Sequence, residues 1–147
     1  MTFTADLCDE RPDVAVLEIE LRNFGATTVF EGPVSTLEVY EDNKLVGDAL
    51  CEAGEGRVLV VDGRGSRRCA LVGDNLAQRA LDNGWAGIVV HGCIRDAEQV
   101  GAIEIGLKAL GTHPRKTVKR GEGQREVVLR LGGLDITPGE RLVADED

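Results

Sequence analysis

A chain of 147 residues is long enough for one buried core and short for two, so a single domain over residues 1–147 is expected. The formal net charge of -9 excludes a broad nucleic-acid-binding surface, which needs clustered Lys and Arg against phosphate. Apolar runs such as VLVV and GIVV fall far short of the ~20 residues of a membrane helix, and the acidic start MTFTADLCDE lacks the parts of a secretory signal, so a cytoplasmic location is expected.

In chain order, residues 5–10 predict a short helix that stops at Arg11-Pro12, because the residue before proline is driven out of the α region. Residues 14–21 (VAVLEIEL) alternate with period two, and TTVFEG and STLEVYED continue β-like with Gly and Pro between them. NKLVGDALCEAG places Leu45, Val46, Ala49 and Leu50 on one helical face, with Gly54 as C-cap. RVLVVDG, residues 57–63, is a continuous apolar run of the kind covered on both faces of a sheet, and RGSRRCALVG follows as a turn and a short extended stretch. From Asp74 the period becomes helical, with Leu76, Ala77, Ala80 and Leu81 sharing a face as far as Asn83-Gly84. WAGIVVHG is the next buried strand, and RDAEQVGAI opens another helix-like segment. EVVLRLGGLDITPGERLVADED returns to β structure with Gly-Gly and Pro-Gly turns. The expected fold class is α/β, with a central βαβ segment and β-rich ends. Cys8, Cys51, Cys69 and Cys93 have no metal-ligand or redox spacing and read as reduced, mostly core thiols.

Ligands of α/β sheets collect where strands end and helices begin. Asp74 follows ALVG and opens a helix, where Asp is a favoured N-cap and Gly73 eases the turn; Asp96, directly after Arg95 at the end of GIVVHG, suits the same role. Each acid alone reads as structural. If the two strands are parallel neighbours, however, Asp74, Arg95 and Asp96 face one crevice. One carboxylate then suits a divalent ion that keeps several waters and takes further oxygens from substrate, and a second holds one of those waters. A guanidinium forks onto a substrate carboxylate or a developing enolate. The N–H groups of Asp74, Asn75 and Leu76 add an anion seat. Together these parts point to an anionic 2-oxo acid on Mg²⁺ or Mn²⁺. Asp62, Arg68, His91 and Cys93 lie near enough in sequence to approach the crevice, but packing and turn roles fit each at least as well. The basic cluster HPRKTVKR, residues 113–120, reads as a solvated loop or strand edge rather than a phosphate track, and within it residues 113–116 read as a solvated turn, with an approach to a neighbouring subunit's site as the alternative.

The stretch GDNLA…NGWAGIVVHGCIRD, with twenty residues between Asp74 and the Arg95-Asp96 pair, resembles the RraA-like family. That family includes class II 4-hydroxy-4-methyl-2-oxoglutarate aldolases and regulators of ribonuclease E activity. The segments FGATTVFEGPVSTLEVYEDN, RVLVVDGRGSRRCALVGD, GLKALGTHPRK and LGGLDITPGERLVADED extend the resemblance over nearly the whole chain. It implies an α/β domain of the swivelling, phosphohistidine-domain-like type and a homotrimer with active sites near subunit interfaces. It also implies that Asp96 is the metal ligand and Arg95 the pyruvyl-binding residue. Gly73, Asp74, Asn75 and Leu76 would seat the substrate carboxylate through backbone N–H groups, and Asp74 would act through a water on the metal. The implied reaction is retro-aldol cleavage of 4-hydroxy-4-methyl-2-oxoglutarate to pyruvate, with oxaloacetate decarboxylation through the same enolate. The alternative is a non-catalytic trimeric inhibitor of ribonuclease E, using its acidic surface and not binding nucleic acid or membrane itself. Some regulator-type members lack the full acid and Arg-Asp set that this sequence retains, which tilts the expectation toward the lyase. Family chains usually run past the position of Asp147 into a Gly-containing apolar strand, from which an acid can complete the site. A quinone methyltransferase label sometimes attached to the family fits poorly, since VDGRGS lacks the strand-loop-helix setting that holds S-adenosylmethionine.

Overall fold

The computed structural model describes residues 2–147. In chain order its elements are α1 (Thr4–Glu10), β1 (Arg22–Asn23), β2 (Phe30–Glu38), α2 (Lys44–Leu50), β3 (Val58–Asp62), β4 (Ala70–Val72) and α3 (Asp74–Asp82). There follow β5 (Gly87–Ile94), α4 (Ala97–Val100), β6 (Gly106–Thr112), β7 (Gln124–Arg125), β8 (Leu129–Leu131), β9 (Leu134–Ile136) and β10 (Arg141–Ala144).

The apolar runs make the centre. β6, β5, β3 and β2 lie side by side and parallel, and β4 pairs parallel with the end of β5. β3 is buried at every residue, as a strand covered on both faces must be. Antiparallel β1, β7 and β10 complete an eight-stranded mixed sheet, while β8 and β9 form a separate hairpin turning at Gly132-Gly133. On one face, Leu37, Leu59, Val61, Ile88, Val90 and Leu107 pack against Val46, Leu50, Ala77, Ala80 and Val100 of the helices. On the other, Val34, Val58, Val60 and Val89 meet Leu129 and Leu131 of the hairpin. Phe30 also belongs to this second face, and its ring takes the space of two missing side chains. A Cβ on Gly106 would lie 2.2 Å from Phe30 Cδ1, and one on Gly87 2.5 Å from Cδ2.

Several expectations need correction. Residues 14–21 form no strand; Leu17, Ile19 and Leu21 lie half-buried on the hairpin-side core, so their alternation reports a covered face rather than a ladder. TTVFEG and STLEVYED merge into the single strand β2, which runs through Pro33 opposite edge strand β10. α2 ends at Leu50 with Cys51 as its cap; the Gly54 N–H donates instead to Asn83 O at 2.7 Å. Cys69 and Cys93 are buried, but Cys8 is half-buried and Cys51 exposed, so the thiols are not mostly core. Among the described residues no helix is long and apolar enough to cross a membrane.

Candidate active site

β4 and β5 are parallel neighbours, matching Ala70 with Cys93 and Val72 with Ile94. Gly73-Asp74 and Arg95-Asp96 therefore leave the sheet together at its carboxyl edge, where the Arg95 N–H donates to Val72 O at 2.9 Å. Of the two acids expected at helix N-caps, only Asp96 stands at one, and its side chain makes no cap bond. Gly73, in extended conformation, is the N-cap of α3, and Asp74 is its first helical residue. Asp96 precedes α4 but makes no side-chain cap bond, and its backbone is left-handed at φ 58 and ψ 42. Asp tolerates that region better than most residues. Glu41 and Arg64 are also left-handed, just beyond β2 and β3, so strained backbone gathers along this edge. The Asp96 carboxylate turns toward α3, where Oδ2 accepts a long 3.4 Å bond from the Asp74 N–H. A Cβ on Gly73 would sit 2.8 Å from that oxygen and 3.4 Å from Arg95 Cγ, so glycine here keeps the space beside the carboxylate open.

Gly73, Asn75, Leu76, Arg95 and Asp96 line a cavity of about 380 Å³. Asp74 is not among its lining residues; its Oδ1 accepts the Asn75 N–H at 2.8 Å, using one of the free donors at the start of α3. Asp62, Arg68, His91 and Cys93 also lie off the lining. His91 Nδ1 is 3.4 Å from Asp62 Oδ1, which accepts the Arg64 N–H at 2.9 Å, and Arg68 pairs with Glu41 at 2.9 Å. These contacts support turns, and Cys93 is core.

The rest of the lining includes residues the sequence reading did not place there. Lys116 and Lys119, in the segment expected to be a solvated loop or strand edge, line this cavity of their own chain together with Asn43 and Lys44. The segment is tied down by long-range bonds. The Ala70 N–H donates to Arg115 O at 2.8 Å. Buried Thr117 donates to Asn43 Oδ1 at 2.8 Å, and Asn43 Nδ2 donates to Leu71 O at 2.9 Å. Asp42, only 2% exposed, accepts the N–H groups of Lys44 at 3.0 Å, Arg120 at 2.9 Å and Glu122 at 3.0 Å.

Burial pushes the Asp42 carboxyl up, but the N–H groups of Lys44, Glu122 and Arg120 outweigh it and hold its pKa below the ordinary 3.8. A lowered folded-state pKa adds stability above the unfolded value, and that stability is lost as pH falls through the folded value. Urea midpoints should therefore drop as pH falls below about 4, and less steeply in Asp42→Asn. Equal pH slopes for the two proteins would remove Asp42 from this account.

The charged residues lining the cavity are Lys44, Arg79, Arg95, Lys116 and Lys119 against Asp48 and Asp96. Among the described residues, no group of three or more His, Cys, Asp or Glu is placed to cage a metal. Asp96, beside the space that Gly73 leaves clear, fits a hard divalent ion held by one protein carboxylate and completed by water and ligand oxygens.

Fold and site together define an α/β domain with a cationic cavity, one carboxylate in its wall, at the carboxyl edge of its sheet. The chain belongs to the RraA-like family, described as Aldolase/RraA, which matches residues 4–147. A relative from Alkalilimnicola ehrlichii named "Putative 4-hydroxy-4-methyl-2-oxoglutarate aldolase" is 52% identical over 98% of this chain and 90% of its own length. The solved structure of an S-adenosylmethionine: 2-dimethylmenaquinone methyltransferase from Geobacillus kaustophilus HTA426 superposes with a TM-score of 0.96 at 49% identity, covering 99% of this chain and 91% of that one. That of the RNA-processing inhibitor RraA from Thermus thermophilis superposes with a TM-score of 0.95 at 47% identity, covering 100% and 90%. One fold thus carries three functional names, and the site has to decide between them.

Proposed function

We propose that this protein is a divalent-metal-dependent lyase that cleaves 4-hydroxy-4-methyl-2-oxoglutarate to pyruvate and also decarboxylates oxaloacetate. The observation that carries this reading is the Arg95-Asp96 pair on the cavity wall, with the Asp96 carboxylate spent on no cap and the space beside it kept open by Gly73. Asp96 would hold Mg²⁺ or Mn²⁺, and the bound ion would supply Lewis-acid polarisation of the 2-oxo group. Arg95 orients the pyruvyl end and stabilises the oxyanion of the pyruvate enolate with a fixed, always-charged fork. The N–H groups opening α3 would receive the carboxylate next to the ketone, those of Asp74 and Asn75 once they leave the Asp96 and Asp74 carboxylates that accept them here. In the retro-aldol direction the 4-hydroxyl loses its proton, the bond between C3 and C4 breaks with its electron pair entering the enolate, and return of a proton to C3 of that enolate gives the second of two pyruvates. Loss of carbon dioxide from oxaloacetate delivers the same enolate without a proton abstraction. Asp74 lies off the cavity lining, so it would act through a water on the ion only if its side chain turned toward the cavity. A homotrimer in the cytoplasm is the proposed setting; free cysteines fit a reducing compartment.

A second reading, an inhibitor of an RNA-degrading endoribonuclease, is favoured by the likeness to the Thermus inhibitor and by the acidic chain. Such inhibition would rest on surface charge and weaken with salt. The methyltransferase name receives no support from the site: residues 63–66 lead from β3 through a turn toward β4, not into a helix that could seat a dinucleotide-like cofactor.

Pyruvate release from each substrate, with Mg²⁺ and with chelator, tests the proposal. Metal-dependent turnover of both is expected, and turnover no higher than a protein-free metal blank would shift the weight to the inhibitor.

A further inference from the structure

The cavity has the opposite sign to the protein around it. In a chain of net charge -9, its lining carries five basic residues against two acidic ones. Two of the five are already engaged: Lys44 pairs with Asp48 at 2.6 Å, and Arg79 Nη1 donates to Gly47 O at 3.3 Å. Among the described residues, the side chains of Arg95, Lys116 and Lys119 have no carboxylate or hydrogen-bond partner. The pyruvyl end of a 2-oxo acid engages Arg95 and Asp96. That leaves two ammonium groups in the same cavity for a ligand whose first carboxylate is already bound.

Lys116 is the better fixed of the two. Its neighbours on both sides are pinned, Arg115 through its carbonyl to the Ala70 N–H and Thr117 through its hydroxyl to Asn43. Ala70 precedes Gly73 by three extended residues, so this anchor stands roughly 10 Å along β4 from the Arg95-Asp96 end. An anchor at that distance from the Arg95-Asp96 end suits an ammonium that reaches the distal part of a ligand in this cavity rather than its ketone.

We propose that Lys116 binds the carboxylate distal to the 2-oxo group, making the site selective for 2-oxo acids that carry two carboxylates. This rests on the 2-oxo acid reading above. Calorimetry with the Mg²⁺-loaded protein and two unreactive probes tests it, 2-oxoglutarate with a distal carboxylate and 2-oxobutyrate without one. A charge-assisted bond predicts that wild type binds 2-oxoglutarate about tenfold more tightly, and that Lys116→Gln brings the ratio of affinities within about threefold of unity. Lys116→Arg should restore most of the ratio. Lys116 is exposed, so these changes leave the core untouched. Equal affinities in wild type, or a ratio that survives in Lys116→Gln, would overturn the role of Lys116 alone. Binding of neither probe would overturn the 2-oxo acid reading and this inference with it.

Discussion

Asp96→Ala is expected to cut metal-dependent pyruvate release from both substrates by at least about a hundredfold. The carboxylate is exposed and caps nothing, and its one bond is the long contact to the Asp74 N–H, so its loss removes chemistry and little packing. One structural effect has to be separated. Residue 96 is left-handed, a conformation alanine adopts less readily than Asp, so some loss in Asp96→Ala belongs to the backbone. Asp96→Gly accepts that conformation freely and also lacks the carboxylate. Both variants should be equally inactive, with urea midpoints higher for Gly than for Ala. Turnover retained in the glycine variant would place the metal elsewhere. Inhibition of an endoribonuclease, if it occurs through the acidic surface, should persist in both.

Gly73→Ala should be nearly as damaging to activity while leaving the fold intact. The backbone there is extended at φ -129, which alanine accepts, so no conformational penalty is expected. The added Cβ, however, falls 2.8 Å from Asp96 Oδ2, well inside contact distance. The carboxylate has to rotate or retreat, and displacement of a reacting group by about 1 Å typically costs on the order of a hundredfold in rate. Kinetics should show kcat/KM lowered by about that factor, together with a raised Mg²⁺ requirement. Calorimetric unfolding should place the variant within a few degrees of wild type. Unchanged kinetics would mean that the space beside Gly73 is not where ion and substrate meet.

The parts of this site that could be read from sequence are those built by local patterns. The apolar run of β3 and the 3.6-residue period of α3 announced a strand and a helix, and the charged residues after WAGIVVHG then stood at a strand end by simple counting. Whether β4 and β5 were neighbours was a condition that sequence left open and the ladder meets. Lys116 and Lys119 were unreadable for a different reason. Nothing within HPRKTVKR says which cavity it crosses; its path is set by Asp42 and Asn43, more than seventy residues earlier, through buried hydrogen bonds. Residues 14–21 misled in the reverse direction, since strand-like alternation needs only one buried face and here has no ladder behind it.

The tether between Asp42-Asn43 and the segment around Thr117 also bears on how this protein fails. The lining residues come together only after β2, β3, β5 and β6 have found their parallel register, because they follow different strands of that sheet. Long-range parallel pairing is among the later and slower events of folding. Catalysis is then a gauge of completed assembly. A partly folded chain would present Asp96 on a formed βαβ unit yet lack the cavity's lysines, and enzyme assays would see nothing of a population that still shows helix and strand by circular dichroism.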